Sequence, residues 1–313
     1  MSLTAAECWE VAVRRKMDLP AGASFDVLEE PRRTWAYYML GAVERGRGVI
    51  TNLQAHGWQP GVRFLDAGCA YGGHLVAASQ AGASRVVGVD VDANYLALAR
   101  ELLASHGVEG RLEEGSIDER RVLDSLCSDG LFDVITCTDV LEHVDDAAST
   151  LEALSSCLAP GGTLYITVPN FRNPDWVKAD PHFGIAGITL LPHDIARSAA
   201  FAVHPWLPRY SVGDYHPLAW YRERLSELGM QTWLLNAGAG TLQEQAGRVR
   251  RAAMELCRLE PDSRLPDALA ERVRTSAAEW ANELLSNVSA ETPDPLQLDE
   301  YAVQTWELLA VNG

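Results

Sequence analysis

Through the middle of the chain, short apolar runs alternate with longer stretches of helical period. The runs at 62–66, 85–90, 132–138 and 162–168 carry most of the Val, Ile, Leu and Phe and predict strands, with a further, more polar one at 110–114. Between them, 73–81, 93–106, 118–127 and 146–158 carry the spacing of helices. Such alternation predicts an α/β fold, a parallel sheet with helices on both faces. Residues 1–60 read as helices and loops, with 33–49 the strongest helix and Trp35, Tyr37 and Tyr38 supplying aromatic bulk suited to a core. After Pro169 the pattern breaks into a Pro-, His- and Trp-rich segment that runs to about 214. It leaves the sheet on the side where strand carboxyl ends gather, so it is expected to form a cap there. Helical period returns over 216–228, and 230–236 reads as a further strand.

Residues 62–92 read VRFLDAGCAYGGHLVAASQAGASRVVGVDVD. An apolar run ends in Asp66, a glycine-rich turn and a helix-length stretch follow, and a second apolar run ends in Asp90. This is the pattern of a strand, a nucleotide-binding turn, a helix, and a strand whose terminal carboxylate is placed to hold a ribose. Gly68, Gly72 and Gly73 let the backbone come close to a ligand. The helix starting near Gly72 points unpaired N–H groups at the same spot. Similar glycine spacing also serves phosphate loops and ordinary turns, and Asp66 discriminates among them. A dinucleotide pyrophosphate would be repelled by this carboxylate, whereas a sulfonium cofactor with an amino group would not.

On these residues the chain resembles class I S-adenosylmethionine-dependent methyltransferases. Their D-x-G-x-G-x-G turn reads here from Asp66 to Gly72, with Ala70 in place of the middle glycine, which narrows the turn. The fourth-strand motif is matched over 132–170, FDVITCTDVLEHVDDAASTLEALSSCLAPGGTLYITVPN. The resemblance implies a cofactor held by Asp66, Gly68, Ala70, Gly72 and Asp139, with Asp90 and Val91 at the ribose. Its adenine segment falls on Gly115, Ser116 and Ile117, where a carboxylate is more usual than Ser116. It further implies a Rossmann-like, seven-stranded methyltransferase sheet whose last strand runs antiparallel beside the fifth. The best candidate for that strand is 305–311. The expected organisation is therefore an N-terminal helical segment, 1–60, and a methyltransferase domain, 61–313, that includes a substrate cap, 169–214, and a helical insertion, 240–297. The insertion, helical over 241–259 and 266–285, suits a lid or the contact of a homodimer. In such enzymes an N-terminal segment often closes over the substrate, which gives the three aromatics a second reading.

Methyl transfer is an in-line displacement, so the enzyme aligns the acceptor and sees to its deprotonation. An oxygen acceptor needs a base or a metal, and a thiol or amine needs less. Asp139, Glu142 and His143 stand at i, i+3 and i+4, one face if helical. Together with His216, at the head of His-Pro-Leu-Ala-Trp-Tyr-Arg, they resemble the E-x-x-E-H and distant H-x-F-x-W-T metal pattern of small-RNA 2′-O-methyltransferases. Ubiquinone-pathway O-methyltransferases share part of it. The resemblance implies a divalent metal (Mg, Mn or Zn) on Asp139, Glu142, His143 and His216, lowering the acceptor's pKa. The competing reading of Asp139 and Glu142 is a helix capping box. The cap adds His182, His193 and His204 near Asp180, Asp194 and Trp206. His182, with His143 and His216, is a candidate for serving the acceptor, against the alternative of loop and core histidines. Residues 180–192, DPHFGIAGITLLP, are similar to segments of bacterial methyltransferases from glycan and natural-product pathways.

A length of 313 residues suits one large domain with an insertion. Net charge of −17 would repel a phosphate backbone, which disfavours nucleic acid as a partner. No apolar stretch approaches a bilayer span and the first ten residues lack a signal-peptide pattern, so no membrane partner and a cytoplasmic location are expected. Six cysteines without metal-ligand spacing read as reduced thiols. The expected function is S-adenosylmethionine-dependent O-methylation of a small-molecule hydroxyl, on a natural product, sugar or phenolic intermediate. The alternatives are an RNA 2′-O-methyltransferase, a non-methylating enzyme such as a cyclase, and a cofactor-binding scaffold on the same fold.

Overall fold

The computed structural model describes residues 3–29, 32–236, 240–288 and 295–313. Its strands are β1 (Arg63–Ala67), β2 (Arg85–Asp90), β3 (Arg111–Glu114), β4 (Phe132–Thr138), β5 (Leu158–Pro169), β6 (Met230–Leu234) and β7 (Thr305–Asn312). They form one sheet in the order β3-β2-β1-β4-β5-β7-β6. β1 to β5 pair in parallel, and β7 inserts antiparallel between β5 and β6, with Leu309 facing Tyr165 on one side and Trp233 on the other. This is the Rossmann-like methyltransferase sheet, with the expected final strand.

Both faces of the sheet are covered, which is why β1 and β4 are buried along nearly their whole length. One face packs against α1 (Ala5–Lys16), α3 (Ala42–Ala55), α4 (Gly73–Gln80) and α5 (Ala93–Ser105), through Trp9, Ile50, Leu75 and Leu96. The other packs against α6 (Arg120–Leu126), α7 (Ala147–Ser156) and α10 (Leu218–Glu227), through Leu126, Leu151 and Leu225.

The helix expected over 33–49 is two helices, α2 (Arg32–Leu40) and α3, broken at Gly41. On α2 the inward residues are Ala36 and Met39, one turn apart. Trp35, Tyr37 and Tyr38 therefore point away from the core and are 52%, 47% and 49% exposed, so the reading of these three as core aromatics does not hold. Below the break, α3 lies directly on the first turn of α4. A Cβ on Gly46 would stand 2.5 Å from the Gly73 carbonyl oxygen, and one on Gly73 would stand 2.2 Å from that of Ala42. Only backbone fits at this crossing.

The cap contains α8 (Pro174–Lys178), a 3-10 turn (Ile188–Leu190) and α9 (His193–Val203). The insertion contains α11 (Leu242–Leu256) and α12 (Asp267–Val288), with one further helix, α13 (Pro295–Ala302). Residues 289–294 of the expected insertion lie outside the described residues. Cap and insertion share two small cores. Val177 packs with Val249, Trp280 and Leu284, and Ile188 and Ala199 pack with Leu265 and Val273. The insertion's buried face thus rests on the cap as one layer. Among the described residues, no helix is long and apolar enough to cross a membrane.

Gly46→Ala should lose about 1–3 kcal/mol of stability in urea unfolding, since its Cβ meets backbone rather than a movable side chain. Gly48→Ala, on the same helix with nothing within 4 Å of the new methyl, should be neutral or gain a few tenths. Equal effects at both sites would contradict the backbone-contact account.

Candidate active site

The carboxyl ends of β1, β4 and β5 open onto a cleft of about 480 Å³ whose lining includes Asp66, Gly68, Ala70, Asp139 and Thr167. The turn after β1 is held tightly beneath it. The N–H groups of Gly68 and Cys69 donate to the Val89 carbonyl at 2.8 and 3.0 Å. Gly68 sits at φ +75°, and a Cβ there would lie 2.2 Å from Val140 Cγ2, so glycine is required. Ala70 replaces the expected glycine and still adopts φ +41°. Its N–H donates to Asp90 Oδ2 at 2.9 Å, while the Asp92 N–H donates to Oδ1 at 2.9 Å. The Asp90 carboxylate therefore anchors the glycine turn to the end of β2. Gly115 donates its N–H to the Asp90 carbonyl at 3.1 Å, which brings Ser116 and the buried Ile117 beside the same strand end. Val91 is 64% exposed there. Gly72 caps α4 in the left-handed conformation. Of the expected cofactor residues, Asp66, Gly68, Ala70 and Asp139 line the cleft, while Gly72, Asp90, Val91, Ser116 and Ile117 stand outside its lining.

Asp66 is buried, with Oδ1 accepting from the Thr136 hydroxyl at 2.7 Å and facing His74 Nδ1 at 3.1 Å. Burial opposes charging His74, but the Asp66 carboxylate outweighs it through charge and hydrogen bond and raises its pKa. His74 and Arg45 both line the cleft, and Arg45 lies over the Tyr38 ring at 3.5 Å. Neither cation was expected from the sequence. His74 directly follows the paired glycines, and its place in the first turn of α4 was the available signal.

After β4 the chain does not enter a helix. Asp139 bends at φ +53°, its N–H donates to the Thr167 carbonyl at 3.0 Å, and its Oδ1 accepts from the Thr167 hydroxyl at 2.9 Å. Residues 141–143 form a turn, so both the shared helical face and the capping box expected for Asp139, Glu142 and His143 fail. The next helix, α7, is capped by Asp146 instead. Bonds from the Thr167 backbone and side chain hold the strained Asp139 in place, and this competes successfully with helix formation.

The turn nevertheless groups polar side chains. Glu142 is 1% exposed, and neither of its carboxylate oxygens has a hydrogen-bond partner. Burial, then the Asp139 charge, push its pKa well above the usual carboxylate range. His143 Nδ1 donates to the Ser211 carbonyl at 2.5 Å, which leaves the lone pair on Nε2, 4.0 Å from Glu142. From the cap, His182 packs edge-on to His143 at 4.9 Å, and its Nδ1 meets the Tyr215 hydroxyl at 3.1 Å. Burial, and then the neighbouring His143, push the pKa of His182 down to about 3. A proton is therefore costly on this imidazole, and its lone pair stays available to a cation. Among the described residues, Glu142, His143 and His182 bring one ligand atom each within 4.8 Å of one another. Asp139 and His216 of the expected ligand set stand outside this group. His216 stacks on Trp220, with ring centroids 3.8 Å apart. The other cap histidines tie down backbone, His193 at the Val212 carbonyl and His204 at that of Phe183. Asp180 accepts three backbone N–H groups, from His182, Phe183 and Ile185.

The sheet order, the glycine turn tied to a carboxylate on the next strand and the open cleft define a protein of the Rossmann-like methyltransferase class. The chain belongs to the methyltransferase domain family, whose model matches residues 38–219. The ubiquinone biosynthesis O-methyltransferase of Haemophilus ducreyi is 32% identical over 110 residues, 35% of this chain and 46% of that protein. Its counterpart from Hahella chejuensis is 38% identical over 119 residues, covering 37% and 46%. The chain thus spans about half the length of the curated relatives it matches. Among solved structures, magnesium protoporphyrin IX methyltransferase from Synechocystis with bound SAH aligns over 97% of this chain and 94% of that one, at 15% identity and a TM-score of 0.46.

Because the folded-state pKa of His74 is raised, the Asp66–His74 pair contributes fully below about pH 6.5, the unfolded value, and its contribution is lost as pH rises through the folded value. Imidazole NMR titration should find His74 above pH 6.5 in the native protein and below it in Asp66→Asn. An unchanged midpoint in the variant would remove Asp66 as the cause.

Proposed function

We propose that the chain is an S-adenosylmethionine-dependent O-methyltransferase acting on the hydroxyl of a small molecule, with help from a divalent metal. The observation that carries the oxygen acceptor is the partnerless, buried Glu142 carboxylate beside two imidazoles at the mouth of β4. An O–H acceptor must lose a proton during transfer, and a group of this kind meets that need. Relatives that are O-methyltransferases of ubiquinone biosynthesis support the same reading.

The glycine turn suits the cofactor, because Gly68 and Ala70 line the cleft and Asp90 anchors the turn to β2. Asp90 and Val91 would meet the ribose, Ser116 and Ile117 the adenine, and Asp66, Gly72 and Asp139 the amino-acid half, with Arg45 and His74 offering positive charge to its carboxylate. S-Adenosylmethionine would supply an electrophilic methyl group. Glu142, His143 and His182 fit a Mg, Mn or Zn ion, as a mixed carboxylate and imidazole set whose buried carboxylate lacks any other partner. The metal would lower the pKa of the acceptor hydroxyl. Ser211 fixes the tautomer of His143, and Tyr215 orients His182. The net charge of −17 favours a small molecule over RNA.

Calorimetric titration of metal-stripped protein with S-adenosylhomocysteine, then with Mg, Mn or Zn, tests the two parts separately. Cofactor affinity should fall at least about tenfold in Asp90→Ala, through loss of a charged hydrogen bond and of the turn's anchor. A metal isotherm should be lost in Glu142→Gln and His182→Ala and kept in His216→Ala. Cofactor binding without a metal isotherm would sink the metal, and no cofactor binding would sink the whole reading.

A further inference from the structure

The layer formed by cap and insertion borders a second, open cavity of about 540 Å³, which shares no lining residue with the cleft over the glycine turn. Its volume is that of a small-molecule site. Buried Ile188, Leu191 and Trp280 make its apolar surface. Phe171 and Tyr215 stack at its side, with centroids 5.4 Å apart and planes 14° from parallel. Tyr215 also reaches His182 through its hydroxyl, so one ring walls this cavity and touches the Glu142, His143 and His182 group. A molecule lying along Tyr215 would have one end at that group and its body in the cavity.

The charge of the lining is one-sided. Asp214, Glu279 and Glu283 bring carboxylates to it, against the single guanidinium of Arg172. Arg172 is already committed, to both oxygens of Glu283 at 2.9 and 3.1 Å and to the face of Trp280 at 3.9 Å. Asp214 and Glu279 leave the lining net negative. Aromatic faces together with carboxylates favour an organic cation, as Arg172 on Trp280 already illustrates from within the chain.

We propose that this cavity holds the body of the methyl acceptor and that the acceptor is a ring-bearing amine, protonated at neutral pH. The assignment rests on the O-methyltransferase reading for its orientation, with the hydroxyl at the His182 end and the ammonium toward Asp214 and Glu279. The anionic and neutral acceptors with the same ring are the classes it rejects.

Three probes with one ring and different charge test it: dopamine, catechol and 3,4-dihydroxyphenylacetate. Each is titrated calorimetrically into the full chain at low ionic strength with S-adenosylhomocysteine present. Two solvent-screened carboxylates, each contributing about a factor of two, should favour dopamine over catechol by about fourfold and over the acid by about sixteenfold. The preference should disappear in the double variant Asp214→Asn and Glu279→Gln, with affinity for S-adenosylhomocysteine unchanged. Equal binding of the three probes, or a preference that survives the double variant, would overturn the proposal. Either result obtained with S-adenosylhomocysteine bound leaves the methyltransferase reading standing, whereas failure to bind it strikes that reading instead.

Discussion

The adjacency of β1 and β4 in a parallel sheet is the constraint on which the site depends. The helix that follows β1 packs on one face of the sheet and the helix that follows β4 packs on the other. Between their carboxyl ends the crossovers part, which leaves a crevice at the strand-order reversal. All the chemistry described above stands on this edge. Asp66 stands one residue before the end of β1, Asp90 ends β2, and Asp139 follows β4, so the sheet brings together three carboxylates far apart in sequence. The sheet sets their spacing, and the turn after β1 hangs from β2 by two hydrogen bonds to Val89 and one to Asp90.

That convergence has an electrostatic consequence. Burial raises the pKa of Asp90, and the charges of Asp92 and Asp66 push in the same direction against the backbone N–H groups of Asp92 and Ala70. Glu142 is raised in the same way, by burial and then by Asp139. A region this rich in carboxylates is costly to leave unbalanced. His74, when protonated, neutralises part of it at Asp66, and the remainder favours ligands that bring positive charge. A sulfonium cofactor, a divalent ion and an ammonium-bearing acceptor are each of that kind, so the proposals made for the three regions share one physical cause.

The sheet and the cofactor turn were legible in the sequence because their signals are local. A five-residue apolar run ending in Asp66 and a six-residue one ending in Asp90 carry their own boundaries, and β7 could be placed from one isolated run near 305. The turn after β4 was misread because i, i+3 and i+4 spacing is equally available to a turn, and Thr167, on another strand, decides between them. The same limit hid the break at Gly41, which follows from α3 lying against α4. It also hid the grouping of His182 with Glu142 and His143, since His182 was a candidate for the acceptor and not for the metal set. The packing of α2, with Ala36 and Met39 inward, sorted its aromatics outward against their composition.

One consequence of the topology concerns the order of assembly. β6 and β7 are neighbours in the sheet, yet the connection between them carries α11, α12 and α13. Closing a connection of about 70 residues rather than a tight hairpin costs roughly 3 kcal/mol more in chain entropy. That cost falls if the intervening helices have already collapsed and brought the two ends together. The layer over the cleft would then act first as a folding scaffold, bringing β7 to its slot beside β5 before the sheet closes. Variation in that layer would then bear on the rate of folding as well as on the shape of the cavity it borders.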